Sequence, residues 1–285
     1  MNTVEPAVSS QPSRAIVTLT IFLISLTGLV GNFAVFMYAT NLKILQNSFG
    51  RLSASQSFAE AVLCAVFLGF YCPMVLLFSD LSNFKEISSH VGLILLFCYD
   101  VCIFSHFFIA VNRLCAISFP IGYNKIFSEK NTRILIALSY LFPCFTSIYM
   151  HLANDCLLPY VDFGWYFGVN TSANCDIIRF YVDFCKDFGV VAVIAVVDVV
   201  TIVMIKVTSP ETGAVFAAEL LLFFIVSRCQ AHPVSIFLCT TVAWSLVHTI
   251  DPLVLILFNR EFRNLLMKNP MRWSSNNSNN RVETR

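Results

Sequence analysis

Glu60 and Asp251 each stand inside long apolar sequence, and Asn32 lies in a third such stretch. A charge at the centre of a bilayer-spanning helix costs about 2.5–3.5 kcal/mol on insertion scales, so each of these groups needs a partner or a cavity. If their helices are neighbours, the two carboxylates share one proton or one cation, because like charges at close range cannot both ionise. Alternatively each is neutral and separately hydrogen-bonded. A second set, Arg179, Asp183, Lys186 and Asp187, is spaced by threes and fours, which suits pairing along a helix face. Together with Asp100 and Trp165, the same residues could instead form the polar wall of a ligand pocket. His106 and Asp198 are further polar groups in apolar surroundings. The third set begins at Asn112 and Arg113, where an apolar run ends and "NRLCAISFPIGYNKIF" follows. The chain shows no glycine-rich nucleotide loop, no H-E-x-x-H and no nucleophile with a partnered base, so an enzyme is not expected. Its eleven cysteines are scattered mostly through apolar blocks. They have no metal-ligand spacing, and neither a metal nor a cofactor is expected.

These groups must be positioned by helices in a membrane. Hydrophobic residues make up 57% of the chain and charged ones 12%, with a mean hydropathy of +0.74. Soluble domains carry roughly 25% charged residues, so the fold class expected is all-α, a polytopic membrane bundle. A helix needs about 20 apolar residues to cross the hydrocarbon core. Six blocks meet or approach that length: Ala15 to Thr40, Leu52 to Phe78, Val91 to Val111, Ile134 to Met150, Phe188 to Ile205 and Val234 to Phe258. Between the last two lies "GAVFAAELLLFFIVS", Gly213 to Ser227, which is short for a span.

Lys and Arg in short loops set orientation. Lys43 and Arg51 follow the first block, and Arg113, Lys125, Lys130 and Arg133 surround the loop after the third. Further bases fill the C-terminal segment. Those loops are expected in the cytoplasm and the N-terminus outside, in a multi-pass protein of the plasma membrane. An outside start and an inside end require an odd number of crossings, so the short block is expected to cross as the sixth of seven helices. The expected organisation is an external segment 1–14, a seven-helix domain 15–258, an interfacial helix 259–268 and a disordered cytoplasmic tail 269–285. The net charge of +1 gives no reason to expect a nucleic-acid partner.

The longest external loop carries "CLLPYVDFGWYFGVNTSANC", bounded by Cys156 and Cys175. Paired on the oxidising side, they would close a loop of about twenty residues and contribute on the order of 3 kcal/mol; unpaired, they are two thiols. Asn170 begins an N-x-S/T glycosylation triplet, in agreement with an external loop. Five aromatic residues between Tyr160 and Phe167 allow the loop either to fold down as a lid or to pack on itself.

The layout resembles a seven-helix G-protein-coupled receptor. Gly31-Asn32, "SFAEAV" with Glu60, Asn112-Arg113, and "DPLVLILFNREFR" from Asp251-Pro252 onward occupy the places of that superfamily's GN, LAxAD, DRY and NPxxY motifs. More narrowly, "NRLCAISFPIGYNKIF", the C-x18-C loop and "WSLVHTIDPLVLILFNREFR" are similar to nematode serpentine chemoreceptors of class X. That resemblance implies a chemosensory receptor for a small external ligand, with membrane lipids and a heterotrimeric G protein as its partners. It implies that Arg113 contacts the G protein, with Asn112, Pro120 and Tyr123 shaping the inner loop, and that Asn32, Glu60, Asp251 and Pro252 form an intramembrane switch. Asn112 replaces the superfamily's acidic residue, so the local ion pair to Arg113 is expected to be missing and the arginine to be less firmly held. Other departures are the absence of a CWxP-like switch in the sixth block and of the superfamily's cysteine near Ser88, Ser89 and His90. The alternatives are a truncated receptor that does not signal, or a small membrane transporter built around Glu60, Asp251 and Asp198.

Overall fold

In a computed structural model the described residues are 11–41, 45–78, 82–168, 172–205 and 232–258. The short sixth block, Asn170, the interfacial helix, residues 1–10 and the C-terminal tail lie outside them; residues 11–14, expected in the external segment, belong to the first helix. Among the described residues, five helices are long and apolar enough to cross a membrane: Ser13–Ala39, Ser48–Leu77, Glu86–Ser118, Glu129–His151 and Pro233–Leu257. A backbone in hydrocarbon must satisfy its own hydrogen bonds, and a helix does so within one segment. This explains why apolar length alone located them.

The first helix, α1, is Gln11–Asn41. The second, α2, is Ser48–Val66; Asn47 caps it by accepting the Gly50 N–H at 2.8 Å, and widened π turns at Phe67–Tyr71 and Met74–Phe78 prolong it. The central helix α3, Ser82–Ser118, extends past its apolar block at both ends. A single turn, α4 (Tyr123–Ile126), precedes α5 (Glu129–Ile148), which Ser128 caps by accepting the Asn131 N–H at 3.3 Å. A two-stranded hairpin follows, β1 (Tyr160–Val161) antiparallel to β2 (Tyr166–Phe167), with Tyr160 opposite Phe167. Next, α6 (Ala173–Ile178), a π segment Arg179–Cys185 and α7 (Lys186–Ile205) form one continuous helical run over residues 173–205. The last run comprises α8 (Pro233–Phe237), the π turns Leu238–Val242 and α9 (Ala243–Phe258). Pro233 opens it, where a missing N–H costs nothing.

Helix α3 packs against α2, α5 and α7, while α1 packs against α2 and α9. Gly28 and Gly31 permit the approach of α1. A Cβ on Gly28 would lie 2.6 Å from Thr249 Oγ1 and 2.7 Å from Cys64 Sγ, and one on Gly31 would lie 3.2 Å from Pro252 Cγ. The bundle therefore has two ends that can be told apart. One carries the hairpin and is called the loop end; the other carries Arg113 and α4.

Candidate functional site

At the loop end, the hairpin is folded down onto the helices. The Tyr71 hydroxyl of the second helical run and the Thr241 hydroxyl of the last both donate to the Trp165 carbonyl, each at 2.7 Å. The Tyr160 N–H donates to Ser88 Oγ of α3 at 3.0 Å, and Arg14 of α1 pairs with Asp162 at 3.0 Å. A Cβ on Gly92 would lie 2.1 Å from the Leu158 carbonyl oxygen, so only glycine lets the loop backbone lie this close to α3. Cys156 and Cys175 form a disulfide with a Cα–Cα distance of 5.4 Å, fastening the loop to α6. Trp165 is 3% exposed, lies edge-on to Phe237 and has backbone φ of 51°. Such a conformation is uncommon for a bulky residue and persists only where its surroundings impose it. Burial, and then the neighbouring Tyr71 and Asp162, push the Tyr160 hydroxyl pKa up, so it stays a donor, here to Asp162 Oδ1 at 3.2 Å.

Below the lid, Asp100 of α3, Asp183, and Lys186 and Asp187 of α7 come together. Lys186 Nζ is 2.5 Å from Asp100 Oδ2 and 3.2 Å from Asp187 Oδ1, and the Thr146 hydroxyl of α5 donates to Asp100 Oδ2 at 3.2 Å. Carboxylate oxygens of Asp100, Asp183 and Asp187 all lie within 4.8 Å of one another. Spacing alone predicted pairing along a helix. The structure keeps such a contact, Lys186 to Asp187, and also links Lys186 across to α3, where the buried Asp100 requires a cation. Trp165, grouped with these residues on sequence grounds, packs elsewhere, against Tyr71, Thr241 and Phe237.

Farther from the loop end, the predicted carboxylate pair is assembled with Asn32 and His106, and with Gln56, which the sequence did not single out. Gln56 Nε2 donates to Glu60 Oε1 at 2.9 Å and to Asp251 Oδ2 at 3.3 Å, and His106 Nε2 is 2.7 Å from Asp251 Oδ2. His248 Nδ1 lies 3.8 Å from Glu60 Oε1, and Asn32 Nδ2 donates to the His248 carbonyl at 3.0 Å. Glu60, His106 and Asp251 bring ligand atoms within 4.8 Å of one another. A cavity of about 100 Å³ is lined by Gln56, Glu60, His106, Asp251 and Pro252, and it reaches Arg113. His106 read in isolation signals only a core histidine; its three-helix setting becomes visible once α2, α3 and α9 are packed.

At the opposite end the structure corrects the expectation of a loosely held arginine. Arg113 pairs with Asp198 of α7 at 3.0 Å, so the counter-charge missing at Asn112 comes from another helix. Asn112 is 2% exposed; its Nδ2 donates to the Tyr123 hydroxyl at 3.0 Å, and that hydroxyl donates to Asn112 Oδ1 at 3.3 Å. Tyr123 in turn stacks on Phe127. Pro120 is exposed between Phe119, 61% exposed, and Ile121, fully exposed.

The five π segments among the described residues all lie in the halves of their helices nearer the hairpin, in four different runs. Widened turns of this kind are rare and frequently mark functional regions. They concentrate around the lid and the Asp100–Lys186 cluster.

Comparison with known proteins agrees with this arrangement. The family model described as serpentine type 7TM GPCR chemoreceptor Srx matches residues 22–215 and 212–259. The chain is 28% identical over 294 residues to serpentine receptor class X 45 of Caenorhabditis elegans, an alignment covering 88% of this chain and 80% of that one. It is 26% identical over 269 residues to serpentine receptor class X-43 of the same organism, covering 86% and 84%.

Proposed function

Because the chain belongs to the serpentine Srx family of seven-transmembrane G-protein-coupled chemoreceptors, we propose that it detects a small ligand at its loop end and passes the signal to a heterotrimeric G protein at its Arg113 end. On this reading the protein lies in the plasma membrane with the loop end outside. Trp165 of the lid and the Asp100, Asp183 and Lys186 cluster under it form the ligand side. The Glu60, His106 and Asp251 network, with Asn32 and Pro252 beside it, lies between the ligand side and Arg113. A ligand acts by favouring one of two pre-existing arrangements, and it shifts the equilibrium only by its difference in affinity for them.

The observation that carries the reading is the Arg113–Asp198 bridge. It joins α3 to α7 where exposed Phe119 and Ile121 and the neighbouring Pro120 offer an apolar surface to a partner. Arg113 is 42% exposed on its side chain, so a G protein can compete for it. Asn112 and Tyr123, through their paired hydrogen bonds, hold the loop that presents this surface.

The test needs no identified ligand. In reconstituted membranes with a purified heterotrimeric G protein, Asp198→Asn releases Arg113 and raises basal nucleotide exchange above that of the intact chain. Arg113→Ala suppresses exchange in both backgrounds. Equal exchange in all the variants would remove the role given to Arg113.

A further inference from the structure

Charge does not balance in the cluster under the lid. Asp183, in the π segment Arg179–Cys185, and Asp187, in the first turn of α7, are four residues apart and lie on one face of the run, with Asp100 of α3 converging on them. Asp100 is 2% exposed, Asp183 7% and Asp187 0%. Lys186 supplies one positive charge, with Nζ 2.5 Å from Asp100 Oδ2 and 3.2 Å from Asp187 Oδ1. Arg179, on the same run, is engaged with Asp176 at 3.7 Å. Three carboxylates against one ammonium leave two negative charges in a buried site, and buried charges require a counter-ion or protons.

The oxygens show where that demand is unmet. Asp100 Oδ1 and Asp187 Oδ2 are buried and have no hydrogen-bond partner among the described residues, although the other oxygen of each carboxylate meets Lys186. Buried polar atoms normally have a partner.

The spacing suits one ion. Carboxylate oxygens of Asp100, Asp183 and Asp187 lie within 4.8 Å of one another. Calcium takes oxygen ligands at about 2.3–2.6 Å, so two on opposite sides of the ion stand about 4.6–5.2 Å apart and adjacent ones stand closer. The donor set is oxygen alone, which suits a hard cation rather than zinc or copper. Calcium accepts irregular geometry, whereas magnesium demands a near-ideal octahedron and keeps several waters, for which a buried site has little room.

We propose that Asp100, Asp183 and Asp187 bind one calcium ion that joins α3 to the α7 run, and that the Lys186 ammonium takes its place when the ion is absent. Calcium and Lys186 then compete for the same oxygens, so the affinity falls in the weak range of extracellular modules, Kd of about 10⁻⁴–10⁻³ M. The proposal deepens the ligand side described above and rests on the reading that places the loop end outside, where calcium is abundant.

The experiment uses the full chain in nanodiscs of neutral phosphatidylcholine, with calcium chloride as the probe and thermal unfolding as the readout. Both faces of a nanodisc are open, so the result depends neither on orientation nor on coupling, and a failure here leaves the role of Arg113 standing. Calcium raises the unfolding midpoint in a saturable way, a chelator reverses the rise, and magnesium is at least about tenfold weaker. Asp183→Asn and Asp187→Asn each weaken calcium binding by about tenfold or more, because ligand charge sets calcium affinity. Both keep the calcium-free midpoint of the intact chain or exceed it, since each removes an uncompensated charge. Lys186→Met acts in the opposite direction and tightens calcium binding severalfold. Glu60→Gln, in the other group of converging carboxylates, keeps the rise. With terbium(III) as a second probe for oxygen sites, the luminescence lifetime is that of a partly dehydrated ion in the intact chain and that of the free aqueous ion in the double Asp183→Asn and Asp187→Asn variant. A midpoint unmoved by calcium, a rise that survives the double variant, or an affinity unchanged in Lys186→Met would overturn the proposal. Protons would then balance the cluster, or the ion would be held elsewhere.

Discussion

His106 shows how one side chain changes meaning with its neighbours. Its Nε2 is the closest partner of Asp251 Oδ2, at 2.7 Å, and both side chains are about one-tenth exposed. Removing one member of such a buried pair leaves the other without compensation, which typically costs about 3–5 kcal/mol. His106→Ala is therefore expected to destabilise the bundle by about 3 kcal/mol. Asp251→Asn in the same background recovers part of the loss, because it removes the uncompensated charge. Thermal unfolding of the single and double variants in nanodiscs measures both effects, and additive losses would show that the two residues do not act as a unit. The same logic applies to Arg113: its stability depends on Asp198, a residue eighty-five positions away in the chain.

Among the helices, the contact of α1 with α2 and α9 depends on the absence of a side chain at Gly28. Gly28→Val places new carbons where Thr249 and Cys64 already are, so α1 must move outward. Overpacking of this kind costs about 1–3 kcal/mol, and the expected result is a lowered thermal midpoint with a membrane-inserted chain. Val30, by contrast, is 62% exposed, and Val30→Ala should leave the midpoint within experimental error. The lid is an element of a different kind. Its hydrogen bonds to three helical runs hold it closed, while the Cys156–Cys175 disulfide limits how far it can unfold. Replacing both cysteines by serine is expected to cost on the order of 3 kcal/mol by the chain-entropy estimate. Limited proteolysis between Cys156 and Cys175 should become faster in that variant, and unchanged cleavage would mean that the hydrogen bonds alone hold the loop.

For the whole molecule, the proposed orientation makes a simple prediction. A tag at the C-terminus of the expressed chain should be inaccessible to protease outside intact cells, and one at the N-terminus should be accessible. Both tags on the same side would mean an even number of crossings and would exclude the short block, Gly213 to Ser227, as a span. What the sequence determined is the long helices found among the described residues: apolar length and the demand that a backbone in lipid bond to itself are local properties. It also marked Glu60, Asp251, Asp100, Lys186 and Arg113, since an ionisable group in apolar sequence stands out without any structure. Only the tertiary structure decided which of these groups meet. It gave Asp198 to Arg113, His106 and Gln56 to the carboxylate pair, and Asp100 to Lys186, and it set Trp165 apart from that cluster. The reason is physical: burial makes a partner necessary, but the partner comes from whichever helix face packs alongside, and for α1 that packing is set by Gly28 and Gly31 against Cys64, Thr249 and Pro252.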